Sequence, residues 1–221
     1  MCPKECPKEP GVSEGARGVR RSPGSLDPGY PGSEDPGLHS ERLHSDGRSL
    51  VAQGDENKAM FDKYFGRIRT ANFAIAGDTT QGVLWGLHNG EGQGFQPKAI
   101  MLMIGTNNTG TNTAPEIAEG IGAVMLEMRH DFPDAKILLL AIFPRSLPGA
   151  SVRDQIAEVN RIIAKLNDDK HVFYMDIGAK FLDEQGAFLP NAFRPDNLHP
   201  QAKGYDIWGE AVQAKLAQLL K

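Results

Sequence analysis

Two uninterrupted apolar runs constrain the fold of this chain more than any other feature of its sequence. They occupy residues 99–104 and 137–143, the second directly after Lys136. A strand is apolar along its whole length when both of its faces are covered, as in a parallel sheet between two helical layers. Amphipathic helical patterns lie between such runs, and this alternation indicates parallel strands joined by right-handed crossovers. Residues 56–221 are therefore predicted to form one three-layer α/β domain.

Further elements follow from the same periodicities. The pattern predicts strands at 72–75 and 171–175, and helices at 59–65, 152–166 and 202–220. Asp78 or Thr79 is predicted to cap another helix, and Ile117 to Met128 line one face of a longer one. Trp85 is predicted to lie in the core or in an interface, not to stack on a substrate.

Residues 1–55 differ sharply in composition from the rest of the chain. They are rich in Pro, Gly, Ser, Arg and Glu and contain few bulky apolar side chains. Such a segment buries too little apolar surface to offset its ordering entropy, so we expect a disordered leader. Cys2 and Cys6 both lie in this leader and are interpreted as free thiols.

Charge and hydropathy exclude several classes of partner. The net charge of -4 does not favour nucleic acid or anionic membranes as ligands. No apolar run reaches the ~20 residues of a membrane span, and the N-terminus has no signal-peptide core. A cytoplasmic protein without cofactor or metal is the expectation.

Three loops carry candidate catalytic chemistry. Asp196 and His199 are three positions apart, the carboxylate–imidazole pair that activates a hydroxyl nucleophile in hydrolases. Gly77 and Asn107 each follow a predicted strand. Because functional residues of parallel sheets gather at the carboxyl ends of strands, these loops are expected to meet at one edge.

Four motifs of this chain resemble those of a known family. They are Gly77-Asp78-Thr79-Thr80, Val83-Leu84-Trp85, Gly105-Thr106-Asn107-Asn108 and Asp196-Asn197-Leu198-His199-Pro200. From about residue 57 onward the chain resembles the SGNH (GDSL-type) hydrolases, and among them the catalytic subunits of platelet-activating factor acetylhydrolase type Ib. The resemblance implies a flavodoxin-like sheet in the strand order 2-1-3-4-5.

The resemblance also implies an activity. It would be an esterase that releases a short acyl group, most often acetyl, by a Ser-His-Asp mechanism without a cofactor or metal. His199 would act as general base and Asp196 would orient it, while the Gly77 backbone and the Asn107 amide would bind the oxyanion. A small-molecule ester as substrate and a homodimer are implied in the same way.

The chain departs from this family in its first block. The apolar strand and the Gly-Asp-Ser that carries the nucleophile are not recognisable, so this strand is expected to be missing or replaced. Ser45 and Ser49 lie at about the right distance and are weak candidates for the nucleophile. We hypothesise that residues 1 to about 50 lie outside the family's reading frame. The alternative function is a catalytically dead domain, or a fragment, acting only in protein contacts.

Overall fold

A five-stranded parallel sheet forms the middle layer of the domain. The structure, a computed structural model, describes residues 42–46 and 62–221. The strands are β1 (Arg42–Asp46), β2 (Arg69–Asn72), β3 (Ala99–Leu102), β4 (Lys136–Leu140) and β5 (Val172–Met175). Their order in the sheet is β2-β1-β3-β4-β5, and all neighbours are parallel. This confirms the flavodoxin-like order that the resemblance implies.

The first strand of the fold is present with a different sequence, so of the two predicted alternatives, missing or replaced, the structure shows the second. β1 lies inside the sheet, with Ser45 in register with Asn72 of β2 and with Met101 of β3. A polar sequence, Arg-Leu-His-Ser-Asp, thus replaces the expected apolar run. Residues 42–46 thus form a strand within the segment that the sequence assigned to the leader. Disorder and reading frame elsewhere in the leader stay predictions, because those positions lie outside the described residues.

Helices cover both faces of the sheet. They are α1 (Thr80–His88), α2 (Ala114–Asp131), α3 (Ser151–Ile163) and α4 (Ala202–Leu219), and residues 62–65 are also helical. Thr79 caps α1 by accepting a hydrogen bond from the Gly82 N–H, as predicted. Among the residues that the structure describes, no helix has the length and apolar content that crossing a membrane requires.

The core consists of two apolar layers, one on each side of the sheet. Met101 and Leu138 face α4, where they join a cluster around Trp208. The next residues in each strand, Leu102 and Leu139, face the opposite layer and pack with α1, α2 and α3. Alternate side chains of the same apolar strand therefore enter different layers, which explains why 99–104 and 137–143 carry no polar face.

The second strand begins and ends earlier than predicted. The sequence placed it at 72–75, but β2 ends at Asn72. The Asn72 carboxamide accepts a hydrogen bond from the Ala74 N–H at 2.9 Å, and Phe73 packs edge-on against Phe95 at 5.2 Å between ring centroids. The apolar residues 73–75 thus form the turn that leads to Gly77, and they do not extend the sheet.

Backbone groups beyond the end of β4 find a side-chain partner in place of a strand. The Ile142 N–H donates to Asn160 Oδ1 at 2.8 Å, and the Asn160 amide donates to the Ile142 carbonyl at 2.9 Å. Ile142 is buried. This two-point contact fixes α3 against the segment that leads into Pro144 and Arg145, and so shapes one wall of the sheet's carboxyl edge.

Replacing Asn160 by alanine should lower the free energy of unfolding by roughly 2–4 kcal/mol, because it leaves a buried N–H and a buried C=O unpaired. Urea denaturation measures the change. The control is Arg161→Ala on the same helix, which removes only the exposed ion pair with Glu158 at 2.6 Å and should cost about 0.5 kcal/mol or less. Equal losses of unfolding free energy in the two variants would contradict a specific contribution of the Asn160 hydrogen bonds.

Candidate active site

Asp196 and His199 form a hydrogen-bonded pair in the loop before α4. Asp196 Oδ2 lies 2.8 Å from His199 Nδ1, and Asp196 Oδ1 accepts the backbone N–H groups of Leu198 and His199 at 2.9 and 3.0 Å. Because a carboxylate accepts from Nδ1–H, the other ring nitrogen, Nε2, stays available to take up a proton. The pair therefore has the geometry of a general base held in one tautomer.

The hydrogen bonds also set the charge state of Asp196. Burial alone raises the pKa of this carboxyl, but bonds from the backbone and imidazole of His199 and from the Leu198 N–H outweigh it. The net result is a pKa below the ordinary value of 3.8. Asp196 is therefore ionised near neutral pH, as required of a group that stabilises an imidazolium.

Contacts across the carboxyl edge of the sheet connect this loop to the ends of β3 and β4. The Ser146 N–H donates to the Asn197 carbonyl at 2.9 Å, which joins the His199 loop to the segment after β4. The neighbouring Arg145 guanidinium donates to the Thr106 carbonyl at 3.0 Å. These links bring the His199 and Asn107 loops, which lie far apart in sequence, to one edge of the sheet.

Asn107 and Gly77 belong to two loops that contact each other directly. Asn107 Nδ2 donates to the Asp78 carbonyl at 2.8 Å, next to Gly77. Gly77 is exposed and has a φ of 78°, a left-handed conformation that favours glycine. Gly105 precedes the single helical turn Thr106–Asn108 with a φ of 113°, and a Cβ there would lie 2.9 Å from Ile117 and from Ile142. A glycine at 105 thus permits the close approach that sets Asn107.

Asn108 holds the same two loops together by hydrogen bonds, a role that the sequence analysis did not predict. Its Oδ1 accepts the Thr80 N–H at 3.1 Å, and its Nδ2 donates to Gln81 Oε1 at 2.8 Å. The side chain is almost completely buried. The Gly-Thr-Asn-Asn motif thus contains two asparagines with different roles. Asn107 lies at the carboxyl edge of the sheet, whereas Asn108 connects the end of β3 to the start of α1 by hydrogen bonds.

Two hollows of different character lie at this edge. The first is a small, mostly enclosed apolar cavity of about 10 Å³ beside Thr106 and Leu198, with Phe143 and Pro144 in its wall. The second is an open groove of about 320 Å³ that includes Gly77 and Asp78, with Ile75 and Trp85 along it. Trp85 is 68% exposed, so of its two predicted positions the core is wrong, while an interface stays a prediction.

A family model described as the GDSL-like lipase/acylhydrolase family matches residues 46–207. The chain belongs to this family. The matched region includes the Gly77, Asn107 and His199 loops and Ser49, but it begins one residue after Ser45.

Curated relatives agree with the family model. The chain is 39% identical over 175 residues to platelet-activating factor acetylhydrolase IB subunit alpha2 of Gallus gallus, covering 76% of each protein. It is 31% identical over 162 residues to subunit alpha1 of Homo sapiens, covering 73% of this chain and 69% of the relative. The predicted family resemblance is confirmed.

Solved structures confirm the fold. A GDSL-like lipase from Bacteroides thetaiotaomicron superposes with a TM-score of 0.68 at 15% identity, covering 80% of this chain and 88% of that one. An acetylxylan esterase from Geobacillus stearothermophilus superposes with a TM-score of 0.65 at 17% identity, covering 81% and 95%. This GDSL-family chain therefore has the SGNH hydrolase fold.

The two candidate nucleophiles of the GDSL-family chain differ in position. Ser45 lies within β1, whereas Ser49 follows the carboxyl end of that strand by three residues and lies outside the described residues. The tetrapeptide Gly47-Arg48-Ser49-Leu50 differs from Gly-Asp-Ser-Leu only at Arg48. This near match is the sequence signal that could have favoured Ser49 over Ser45.

A carboxylate–imidazole group outside this edge involves the end of α2. The ligand atoms of Glu127, His130 and Asp131 lie within 4.8 Å of one another, and His88 Nε2 is 3.2 Å from Glu127. The group lies in the C-terminal part of α2, whereas the Asn107 loop precedes the N-terminal end of that helix. It therefore has no direct part in the Asp196–His199 site.

Replacing Asp196 by asparagine should make the stability of the domain less dependent on acid pH. The ionised carboxylate stabilises the fold above its ordinary pKa of 3.8, and this contribution is lost as the pH falls through the lower folded-state value. Wild type should be the more stable protein at neutral pH, and the difference should close as the pH falls below 3.8. Chemical denaturation across this range measures it.

The matched control for this change is Glu184→Gln, which removes one exposed carboxylate outside the site. A stability difference between wild type and the Asp196 variant that stays constant with pH would contradict the assigned charge state.

Proposed function

We propose that this chain is a carboxylic ester hydrolase that releases a short acyl group, most often acetyl, from a small-molecule ester. The observation that carries the proposal is the 2.8 Å contact between His199 Nδ1 and Asp196 Oδ2 at the edge that also holds Asn107. Family membership supports the reaction class, since the matched model describes acylhydrolases.

Ser49 is the proposed nucleophile. In parallel α/β sheets the reacting groups follow the carboxyl ends of strands, and Ser49 follows β1 in this way. Ser45 is disfavoured because it lies inside the strand and outside the region matched by the family model. The position of β1 between β2 and β3 supports this choice, because β2 leads to Gly77 and β3 leads to Asn107.

The proposed reaction has two steps. Ser49 Oγ attacks the ester carbonyl carbon while His199 Nε2 takes its proton, and the imidazolium then gives that proton to the leaving alcohol. The Gly77 N–H and the second N–H of the Asn107 amide donate to the oxyanion, since the first N–H is held by the Asp78 carbonyl. Water, activated by the same imidazole, then releases the acid and restores Ser49.

The small cavity supports a short acyl group. At about 10 Å³ the space beside Thr106 and Leu198 admits roughly one water-sized group. Its walls include buried Phe143 and half-buried Pro144, and Pro144 leads into the segment linked to the His199 loop. An acetyl methyl group suits this size and apolarity, whereas a long acyl chain would require the wall to move.

The hydrolysis of 4-nitrophenyl acetate by the purified chain tests this function. Ser49→Ala and His199→Ala should each lower kcat at least about 10³-fold, because each removes a member of the proposed triad. Ser45→Ala is the matched control and should keep most of the activity. A folded wild-type protein without turnover would instead support the second candidate, a catalytically dead domain, which the arginine at position 48 favours.

Asn107→Ala should lower kcat roughly 10²- to 10³-fold with a smaller change in KM, because an oxyanion donor acts mainly on the transition state. Steady-state kinetics with the same ester separate the two constants. The control is Asn112→Ala, which removes a hydrogen bond to Asn108 at 3.1 Å without removing a proposed oxyanion donor. A change confined to KM would contradict the role of Asn107.

A further inference from the structure

The open groove beside Gly77 has a feature that the proposed reaction does not use. Trp85 and Ile75 are large apolar side chains, yet 68% and 55% of their surfaces are exposed. Both line the same groove, and Gly77, the proposed oxyanion donor, lies in it between the turn at Ile75 and the start of α1. The groove is therefore continuous with the site where an ester carbonyl would bind.

The two hollows at this edge divide the space around the carbonyl unequally. The cavity at Thr106 and Leu198 is mostly enclosed and has a volume of about 10 Å³, whereas the groove is open and has a volume of about 320 Å³. The groove thus reaches the lower end of the ~300–1,000 Å³ typical of small-molecule sites. If the short acyl group binds in the small cavity, the larger alcohol part of the ester binds in the groove.

The lining of the groove restricts the chemistry of that alcohol. Asp78 and Glu91 both contribute to the lining, so an anionic group such as a phosphate would meet like charge. Two glycines of α1, Gly82 and Gly86, also line the groove and leave backbone next to the Trp85 indole. A single aromatic face beside carboxylates suits a neutral sugar-like ring. The apolar C–H face of such a ring can stack on the aromatic face, and its hydroxyl groups can donate to the carboxylates. Quaternary ammonium groups are held by cages of several aromatic side chains.

We propose that Trp85 is a specificity-determining residue that binds the sugar alcohol of an acylated carbohydrate in this groove. The inference rests on the proposed esterase function and adds the class of the leaving group to it. The sugar ring stacks on the indole, its hydroxyls donate to the groove carboxylates, and the carbonyl oxygen of the ester points toward Gly77. The groove is open to solvent, so further units attached to the ring can extend out of it.

Kinetics with three acetate esters test the substrate class. The esters are acetylated methyl β-xyloside, ethyl acetate and acetylated glycerol 3-phosphate. Wild type should have its highest kcat/KM for the sugar ester and its lowest for the anionic one. Trp85→Ala should lower the ratio of kcat/KM for the sugar ester to that for ethyl acetate roughly 3- to 10-fold, and Trp85→Phe should keep part of it. Leu126→Ala, which truncates a side chain 75% exposed on α2, should leave the ratio unchanged.

Binding provides a readout that does not depend on turnover. The chain has two tryptophans, and the second, Trp208, is almost fully buried, so Trp85 is the solvent-exposed fluorophore. Titration with non-acetylated methyl β-xyloside should change the emission saturably in wild type and leave Trp85→Phe unchanged.

The outcomes separate this inference from the proposed function. Hydrolysis of no ester, together with saturable sugar binding at Trp85, would refute the esterase function and leave the groove assignment standing. Three results would overturn the role of Trp85. They are hydrolysis with an unchanged specificity ratio in Trp85→Ala, a preference of wild type for the anionic ester, and no emission change up to the solubility limit of the sugar. Conversion of a dimer to a monomer by Trp85→Ala, with equal loss for all esters, would assign the residue to a subunit interface and overturn it as well.

Discussion

The backbone pairing of β1 on both of its sides is the interaction on which the rest of the structure depends. β2 pairs only with β1 among the described strands, and β3 continues the sheet on the other side. Without this five-residue strand, the Gly77 turn that follows β2 would lose its position relative to the Asn107 turn that follows β3. The hydrogen bond from Asn107 to the Asp78 carbonyl spans this gap above the end of β1. The candidate active site is thus a consequence of strand order.

Side-chain amides carry much of the remaining organisation of the sheet's carboxyl edge. Asn108 ties the end of β3 to α1, and Asn160 satisfies the backbone beyond β4 from α3. Asn107 joins the two loops that follow β2 and β3. A side-chain amide has both a donor and an acceptor, so it can replace the strand partner that a loop lacks. This arrangement keeps the loops fixed without extending the sheet into the space where a substrate would bind.

Local patterns in the sequence predicted the parts of the fold that are locally determined. The apolar strands β3 and β4, the capped helices and the Asp196–His199 pair each have their signal within a short segment. β1 could not be found in this way, because Arg-Leu-His-Ser-Asp has no strand periodicity and becomes a strand through pairing with β2 and β3. The partners of Asn108 and Asn160, and the exposure of Trp85, likewise depend on elements that are distant in sequence.

The central claim is that the residue following β1 at position 49 reacts at the edge where Asn107 and His199 lie. Labelling with diethyl 4-nitrophenyl phosphate tests it most directly, because an activated serine displaces 4-nitrophenolate and keeps the phosphoryl group. Peptide mapping by mass spectrometry should find the adduct on Ser49 in wild type and none in His199→Ala. An adduct on Ser45, or no adduct on any serine of the folded protein, would contradict the account.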